Sequence, residues 1–547
     1  MSRSAHVALL QLRAFDVADA EASLRYTLAQ IDEAAKLRPD IIAMPEMTYP
    51  AYFIGRDDLV LPGVRPPDEV AALFAAKARE HRVHIAAGMA LEGSGGGWTN
   101  GALLFGRDGE IIGRYAKSFL WHFDRRWFAP GDAYPVFETD AGRIGMLVCA
   151  DARVPEIARS LALNSAQIIL DLTAWVSGGR RAADLTSPQR TYLMQTRAIE
   201  NGVWIAAADK VGVEAESIAY CGGSCVIDPR GNYVAQLDSE HEGILSHYIE
   251  LEDAALPVMR RPELYGVLTT PTQELPVERL RDEPLVPGDH ESPISVVQMT
   301  MPPDGDLFVA AARRHAERLA LQDARLVVFP ATPSRLRAAY SHDAVLAGML
   351  AIARDTGVML AFTVSEPDAD GWRAMYLVGP RGVLAKHRQS HKPPGPRFET
   401  MPLGDEPSPV VETAVGGIGM MAAAEGAVPE VARSLMLRGA EIIVWCADHP
   451  SSRMSLIART RADENRVYIA CAAGPAPEAG VTMIVEPSGA VAAQALEGRE
   501  LAVSATVNRM LARLKQRAPG TDVVRGRHPE SYAGLISLKE PAPGTVV

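Results

Sequence analysis

The segment GRIGMLVCADARVPEIARSLAL, residues 142–163, returns later in the chain as GGIGMMAAAEGAVPEVARSLML, residues 416–437. The segment DIIAMPEMT, residues 40–48, likewise returns as RLVVFPATP, residues 325–333. Further pairs follow in the same order: TRAIENGVWIAAA and TRADENRVYIACA, IDPRGNYVAQ and VEPSGAVAAQ, and PELYGVL and PESYAGL. Ordered self-similarity of this kind predicts two tandem copies of one fold.

The length of the chain also favours two domains, because 547 residues exceed what a single hydrophobic core usually serves. Between the copies, TTPTQELPVERLRDEPLVPGDHE, residues 269–291, combines prolines and charges without a hydrophobic period, which indicates a linker. We therefore predict one domain over residues 1–268 and a second over residues 292–547.

Each copy alternates short apolar runs with helix-like stretches. The runs include DIIAMP, HIAAGM, IGMLVC and QIILDL, whereas DAEASLRYTLAQIDEAAKL repeats apolar residues at intervals of three and four. This alternation is typical of an α/β fold. Because the central runs are apolar on both faces, we expect their strands to lie between two layers rather than against water.

Composition restricts the partners of the protein. A net charge of −12 and a pI near 5.6 disfavour nucleic acid, whose binding depends on clustered Lys and Arg. No apolar run approaches the roughly 20 residues that cross a bilayer, so we predict a soluble, cytoplasmic protein. The odd count of five cysteines favours reduced thiols. Cys221 and Cys225 lack a second ligand pair nearby, so no metal site is predicted.

Three polar residues of the first copy each follow an apolar strand. Cys149 ends the run IGMLV, Lys117 follows IIGRYA, and Glu46 follows IIAMP. A thiol with a pKa near 8.5 is largely protonated at neutral pH, so nucleophilic attack needs a nearby base and a cation for the oxyanion. Taken singly, a buried inert cysteine, a surface lysine and a solvated glutamate are the simpler interpretations, but the combination favours catalysis.

The motifs MPEM, GRYAKS and LVCADARVPE around these residues resemble the general-base, lysine and nucleophile motifs of the nitrilase, or carbon-nitrogen hydrolase, superfamily. The resemblance covers both halves nearly end to end. It implies an α-β-β-α sandwich, no cofactor and no metal, and attack by Cys149 on an amide, carbamoyl or nitrile carbon through a thioester. It further implies that Glu46 is the base, and that Lys117 and the backbone N–H of Ala150 stabilise the oxyanion.

One position departs from the family pattern. Many members have a second glutamate shortly after the lysine, where this chain reads HFDRRWFAPGD and has Asp124. We interpret Asp124 as a positioning acid, in preference to a simple ion pair with Arg125 or Arg126.

Three further residues are candidates for substrate contacts. Trp121 and Trp175 lie close to the motifs and are candidates to wall the pocket, with a core or interface role as an equal alternative. Arg153 follows the nucleophile by four residues and is a candidate for binding a substrate carboxylate, although an ion pair with Glu156 or Asp151 is the simpler interpretation.

The second copy lacks the reactive groups. The positions that match Glu46, Lys117 and Cys149 hold Ala331, Gln389 and Ala423, respectively. We therefore predict a degenerate, non-catalytic second domain. Since related enzymes commonly pair two sandwiches, we also expect the copies to form an intrachain pseudo-dimer, which is free to form larger homo-oligomers.

The expected activity is that of an amidase or N-carbamoyl hydrolase acting on a small molecule. Nitrile-hydrolysing relatives usually follow the cysteine with Trp-Glu, whereas this chain has Ala150 and Asp151. Nitrile hydrolysis, acyl transfer by the same cysteine, and a binding or scaffold protein without activity are the alternatives.

Overall fold

The computed structural model of the protein describes residues 4–55, 63–93, 96–177, 185–285, 290–366, 373–394, 399–447, 453–476 and 480–538. The chain divides into two units by its internal contacts. Unit 1 consists of Met1–Leu256, Gln516–Asp522 and Gly526–Val547, and unit 2 of Pro257–Lys515 and Val523–Arg525.

The N-terminal segment of unit 1 alternates strands with helices. In chain order its elements are β1 (Ser4–Arg13), α1 (Ala20–Ala35), β2 (Ile41–Ala43), α2 (Pro67–His81), β3 (His84–Glu92), β4 (Trp98–Phe105), β5 (Ile111–Ala116), β6 (Val136–Thr139), β7 (Gly142–Val148), α3 (Pro155–Leu163), β8 (Ile168–Leu172), β9 (Val176–Ser177), α4 (Met194–Asn201), β10 (Trp204–Ala208), β11 (Lys210–Val211), β12 (Val213–Glu214), β13 (Ile218–Tyr220), β14 (Cys225–Ile227), β15 (Tyr233–Gln236) and β16 (Gly243–Glu250).

Two sheets form the centre of unit 1. The first has the order β11-β1-β2-β3-β4-β5, with β16 also pairing with β1, and the second has the order β15-β14-β10-β8-β7-β6. The strands β1, β3 and β4 pack across on β10, β8 and β7, so the sheets face each other, and helices α1 to α4 cover the outer sides. Strands between two apolar layers must be apolar on both faces, as the sequence pattern indicated. The α-β-β-α prediction is confirmed.

The helices of unit 1 begin and pack as their sequences dictate. In α2, Pro67 occupies the first turn, where a backbone N–H has no partner within the helix and its absence costs nothing. The carboxylates of Asp68 and Glu69 in the same turn interact favourably with the positive end of the helix dipole. Leu24 of α1 and Phe74 of α2 are buried in one core with residues of β1 and β2. This burial fixes β2, and with it the segment that follows β2.

Unit 2 repeats the design. Its elements are α5 (Pro276–Asp282), β17 (Glu291–Gln298), α6 (Gly305–Ala320), β18 (Leu326–Val328), α7 (His342–Thr356), β19 (Met359–Ser365), β20 (Arg373–Gly379), β21 (Gly382–Arg388), β22 (Val410–Thr413), β23 (Gly416–Ala422), α8 (Pro429–Leu437), β24 (Ile442–Cys446), α9 (Met454–Asn465), β25 (Tyr468–Ala472), β26 (Met483–Val485), β27 (Val491–Gln494), β28 (Leu501–Asn508) and α10 (Arg509–Arg513). Its two sheets have the orders β21-β20-β19-β18-β17-β28 and β22-β23-β24-β25-β26-β27.

The units and the sequence copies differ at their C-terminal ends. Residues 257–268 end the first copy by sequence but belong to unit 2, where Gly266–Thr269 packs on α8. The end of the second copy belongs to unit 1, where the strands β29 (Gln516–Ala518) and β30 (Thr521–Asp522) form a hairpin and the 3-10 helix Pro529–Ile536 packs on α3. Each unit therefore contains chain from both copies.

The segment predicted as a linker contains regular structure. Helix α5 lies within it, and Val277 of this helix is buried. Among the described residues, no helix is long and apolar enough to span a membrane.

Candidate active site

Three charged side chains meet inside unit 1. Glu46 follows β2, Lys117 follows β5 in the same sheet, and Asp124 lies in the 3-10 turn His122–Arg126. The Lys117 Nζ lies 2.6 Å from Glu46 Oε1 and 2.6 Å from Asp124 Oδ2. All three side chains are 0% exposed. One buried ammonium thus bridges two carboxylates, and each charge compensates the burial of another.

Backbone and amide groups fix this triad. The Asn100 side chain on β4 donates to Glu46 Oε1 at 2.7 Å, and the Asn100 carbonyl accepts the N–H of Lys117 at 2.8 Å. The N–H of Trp121 donates to Asp124 Oδ2 at 2.9 Å. The oxygens Glu46 Oε2 and Asp124 Oδ1 make no hydrogen bond with the described residues. These two acceptors remain available to a substrate or to water.

Cys149 begins a strained turn at the end of β7. Its φ of 48° lies in the left-handed region, which is unfavourable for a residue with a Cβ. The N–H of Cys149 donates to Asp171 Oδ1 at 3.0 Å, and its carbonyl accepts from Gln189 Nε2 at 2.7 Å. These contacts hold the turn, and Cys149 as a residue is 7% exposed. A strand-to-helix turn with positive φ is the geometry that presents a nucleophile.

Two charges of the triad, those of Glu46 and Lys117, act on the Cys149 thiol. Burial raises the pKa of Cys149 well above its usual value, and the Glu46 carboxylate raises it further, whereas Lys117 lowers it. Burial also raises the pKa of Glu46, against the lowering effect of Lys117. Burial opposes the charge of Lys117, but the two carboxylates outweigh it and raise the pKa of Lys117 well above its usual value. These effects favour the protonated forms of both the Cys149 thiol and the Lys117 amine.

Ala150 is the second residue of the 3-10 turn Cys149–Arg153 and is buried. The first N–H groups of a helical turn have no partner within it, so they are natural oxyanion donors. Asp151 in the same turn accepts the N–H groups of Ser118 and Phe119 at 3.0 and 2.7 Å. The Asp151 carboxylate thereby ties the segment after Lys117 to the segment after Cys149.

The three candidates for substrate contacts, Trp121, Arg153 and Trp175, differ in their burial and in their contacts. Trp121 is partly buried, and the Arg153 guanidinium stacks over its ring at 4.7 Å. Trp175 is 0% exposed, and its backbone N–H donates to Asp209 Oδ1 at 2.9 Å. In the described part of the chain, the Trp175 indole N–H has no hydrogen-bond partner.

Several residues of the site were missed by sequence reasoning. They are Asn100, Asp171 and Gln189, together with Tyr52, whose buried ring lies 5.8 Å from the Lys117 ammonium. The signal for Asp171 was present, because a carboxylate stands alone inside the apolar run QIILDL. The other three carry no such signal, since only the fold brings them near the thiol.

The second copy reproduces the backbone of the site. The N–H of Ala331 donates to the Ala447 carbonyl at 3.2 Å, as the N–H of Glu46 does to Thr173 at 3.3 Å. The residue matching Cys149, Ala423, keeps a φ of 50°. Ala331 and Ala423 thus occupy the backbone positions of Glu46 and Cys149, and the strained turn persists in unit 2 without a thiol.

Unit 2 makes different side-chain contacts at the positions that match the site of unit 1. Trp445 stands at the position of Asp171, and its indole N–H donates to the Ala423 carbonyl at 2.9 Å. A Cβ at Gly426 would overlap the Trp445 ring. Gln389, at the position of Lys117, accepts from Arg373 at 3.1 Å and donates to the His391 carbonyl at 2.6 Å. Neither a thiol nor an ammonium stands at the matching positions.

A group that could bind a metal occurs elsewhere among the described residues. It consists of Asp32, Glu80 and His81 on α1 and α2. The Lys77 ammonium already lies 2.7 Å from Asp32, so a cation occupies this acidic cluster.

The chain matches a family model described as carbon-nitrogen hydrolase twice, over residues 6–256 and 294–516. The predicted tandem duplication is thereby confirmed. Sequence relatives include a nitrilase of Pyrococcus abyssi, 30% identical over 39% of this chain and 78% of that protein. A probable nitrilase of Schizosaccharomyces pombe is 33% identical over 31% of this chain, which spans only 63% of that relative's length. The omega-amidase of Homo sapiens is 28% identical over 43% of this chain and 88% of that protein.

Solved structures with similarity to the chain include a carbon-nitrogen hydrolase of Helicobacter pylori G27. It has 24% identity and a TM-score of 0.41, over 46% of this chain and 90% of that one. An amidase of Nesterenkonia sp. AN1, solved with the acetamide moiety of fluoroacetamide on its active-site cysteine, has 25% identity and a TM-score of 0.38, over 46% of this chain and 91% of that one.

Proposed function

Because the chain belongs to the carbon-nitrogen hydrolase family, we propose that unit 1 hydrolyses a non-peptide amide or N-carbamoyl bond of a small molecule. Cys149 is the nucleophile, and the acyl or carbamoyl group passes through a thioester on its sulfur. The observation that carries this proposal is the buried triad of Glu46, Lys117 and Asp124, of which Glu46 and Lys117 act electrostatically on the Cys149 thiol.

In the first half of the reaction, the Glu46 carboxylate accepts the thiol proton as the sulfur attacks the carbonyl carbon. The oxyanion is stabilised by the Lys117 ammonium and the N–H of Ala150. Glu46 then donates its proton to the leaving nitrogen, the C–N bond breaks, and ammonia or an amine departs. The thioester remains on Cys149.

In the second half, a water molecule replaces the departed amine. Glu46 accepts a proton from this water as its oxygen attacks the thioester carbon. The C–S bond breaks, the sulfur recovers the proton from Glu46, and the carboxylic or carbamic acid leaves. The thiol and the carboxylate return to their resting states.

Asp124 keeps the charge of the site balanced while the proton moves. When Glu46 becomes neutral, the Asp124 carboxylate, 2.6 Å from the Lys117 Nζ, still compensates the buried ammonium. Lys117 therefore keeps its charge and its position at the moment when the oxyanion forms. Asp124 is one methylene shorter than the glutamate that is usual in the family. It still reaches the Lys117 ammonium because the turn His122–Arg126 brings it close.

A substrate panel tests this proposal. Short amides, N-carbamoyl amino acids and nitriles are incubated with the full chain, and ammonia release is measured. We expect release from amides or carbamoyl compounds, and loss of release in Cys149→Ala. Cys446→Ala is the matched control, because this thiol is also buried but lies in unit 2. Release that survives in Cys149→Ala would refute the assignment.

Labelling provides a test that does not depend on finding the substrate. An electrophile such as iodoacetamide should modify Cys149 and leave the other four cysteines unmodified, as peptide mass spectrometry would show. Equal modification of Cys149 and Cys225 in the folded protein would contradict a specific nucleophile at residue 149.

A further inference from the structure

The C-terminal arm, defined here as residues 516–522 and 526–538, belongs by sequence to the inert copy but lies in unit 1. The arm begins with the hairpin β29–β30, which turns at Gly520 with a φ of 76°. Thr521 follows this glycine and is fully buried. The position of Thr521 is thus fixed by a tight turn and by burial.

Thr521 contacts the segment that carries Asp124. Its hydroxyl oxygen accepts the N–H of His122 at 2.6 Å and its hydroxyl donates to the Leu120 carbonyl at 3.4 Å. His122 opens the turn of Asp124 and has a φ of 47°, in the left-handed region that a residue with a Cβ rarely adopts. A hydrogen bond to the N–H of this strained residue helps to hold it in that conformation.

The arm also contacts the residues that directly follow Lys117. The His528 ring lies with Nε2 3.2 Å from the Ser118 carbonyl oxygen. The Gly526 backbone lies against Phe119, where a Cβ would come within 2.6 Å of the ring. These contacts of Thr521, Gly526 and His528 all fall between Lys117 and Asp124 in the sequence. The arm therefore covers the segment that sets the distance between the ammonium and its second carboxylate.

Unit 2 contains the corresponding contacts around its inert site. Arg261, at the position of His528, donates to the Ser390 carbonyl at 3.1 Å. The Tyr265 hydroxyl lies 2.6 Å from His391 Nε2, and the two rings stack. Both belong to the end of the first copy, which lies in unit 2. The carbonyl that follows the Lys117 position is thus contacted in both units, once beside the full charged triad and once beside Gln389.

We propose that the C-terminal arm of the inert copy is a positioning element for the active site of unit 1, acting through Thr521 on the His122–Arg126 turn and so on Asp124 and Lys117. The inference rests on the proposed function. It assigns a task to the second copy that needs none of the reactive residues which that copy has lost.

The test uses Thr521→Val in the full chain, which preserves the shape of the side chain but removes the acceptor for the His122 N–H. We expect kcat to fall by roughly tenfold or more, with KM changed much less, because misplaced catalytic groups slow the chemical step. Thr521→Ser retains the hydroxyl and should restore most of kcat. Tyr265→Phe, which removes the hydrogen bond to His391 in unit 2, should leave kcat at the wild-type value.

Hydrogen exchange separates this proposal from the proposed function. In Thr521→Val, amides of residues 118–126 should exchange faster than in the wild type, whether or not a substrate has been found. Wild-type exchange together with wild-type kcat in Thr521→Val would overturn the positioning role and leave the hydrolase assignment intact. Faster exchange in a protein without hydrolase activity would instead refute the proposed function alone.

Discussion

At the scale of the residue, the site depends on burying one cation between two anions. Removing a single partner from a buried ion pair typically costs about 3–5 kcal/mol, because the remaining charge is left uncompensated. Lys117 has two partners, so the proton that Glu46 takes up during the reaction does not leave the ammonium alone. The proposed mechanism therefore requires the second carboxylate during turnover rather than in the resting enzyme.

Asp124→Asn tests this requirement. The amide retains the size of the side chain but removes its charge, so the neutral Glu46 state would face an uncompensated ammonium. We expect kcat to fall by about 10² or more, measured by steady-state ammonia release. Asp132→Asn is the control, because Asp132 is an exposed acid on the same segment. Equal kcat in both variants would rule out the charge-balancing role.

The pH dependence follows from the same group. Burial raises the pKa of Glu46 above its usual 4.5, and the charge of Asp124 raises it further. The base must be ionised to act, so kcat/KM should fall as the pH is lowered through a pKa above 4.5. In Asp124→Asn, this acid limb should move to lower pH. A limb at or below the ordinary glutamate value would contradict the prediction.

At the scale of the element, the ends of strands organise the chemistry. The sequence pattern correctly indicated that Glu46, Lys117 and Cys149 follow β2, β5 and β7, because apolar runs end where polar residues begin. The position of Asp124 relative to Lys117 was harder to derive, since it depends on a 3-10 turn that no periodicity marks. Asn100 was beyond prediction, because one amide inside a strand gives no indication of the carboxylate it contacts.

Close packing between two elements holds Glu46. A Cβ at Gly88 of β3 would overlap the Pro45 carbonyl and lie 2.8 Å from the Glu46 Cα. Gly88→Ala should therefore displace the base, lower kcat by about 10² and destabilise the fold by about 1–3 kcal/mol. Activity assays and thermal unfolding would measure both effects. Gly266→Ala, where a Cβ meets nothing within 4 Å, should change neither.

At the scale of the whole molecule, the duplication was read directly from the sequence, whereas the exchange of C-terminal segments was not. The similarity of PELYGVL and PESYAGL shows that the two segments are equivalent. Sequence similarity does not show in which unit each segment packs, and each of them packs in the unit formed mainly by the other copy. The two segments are interchangeable in the pattern because both carry the same kinds of apolar residue.

The placement of the C-terminal segment of each copy in the unit of the other copy predicts how the protein unfolds. Tyr532 and Leu535, from the end of the second copy, are each 1% exposed in unit 1, so unfolding of the second copy would open the core that these residues complete. We expect one cooperative transition in scanning calorimetry, with equal calorimetric and van't Hoff enthalpies. Two separate transitions, each with the enthalpy of half the chain, would contradict mutual dependence.

The exchanged segments also constrain the history of the gene. A deletion that removed the inert half would take away the arm over the active half, and a deletion of the active half would strip the same cover from its neighbour. Because each unit depends on a C-terminal segment from the other copy, the duplicated halves cannot return to a single copy in one step. Selection on the arm would then preserve the fold of the second copy even though Ala331, Gln389 and Ala423 stand where the first copy has Glu46, Lys117 and Cys149.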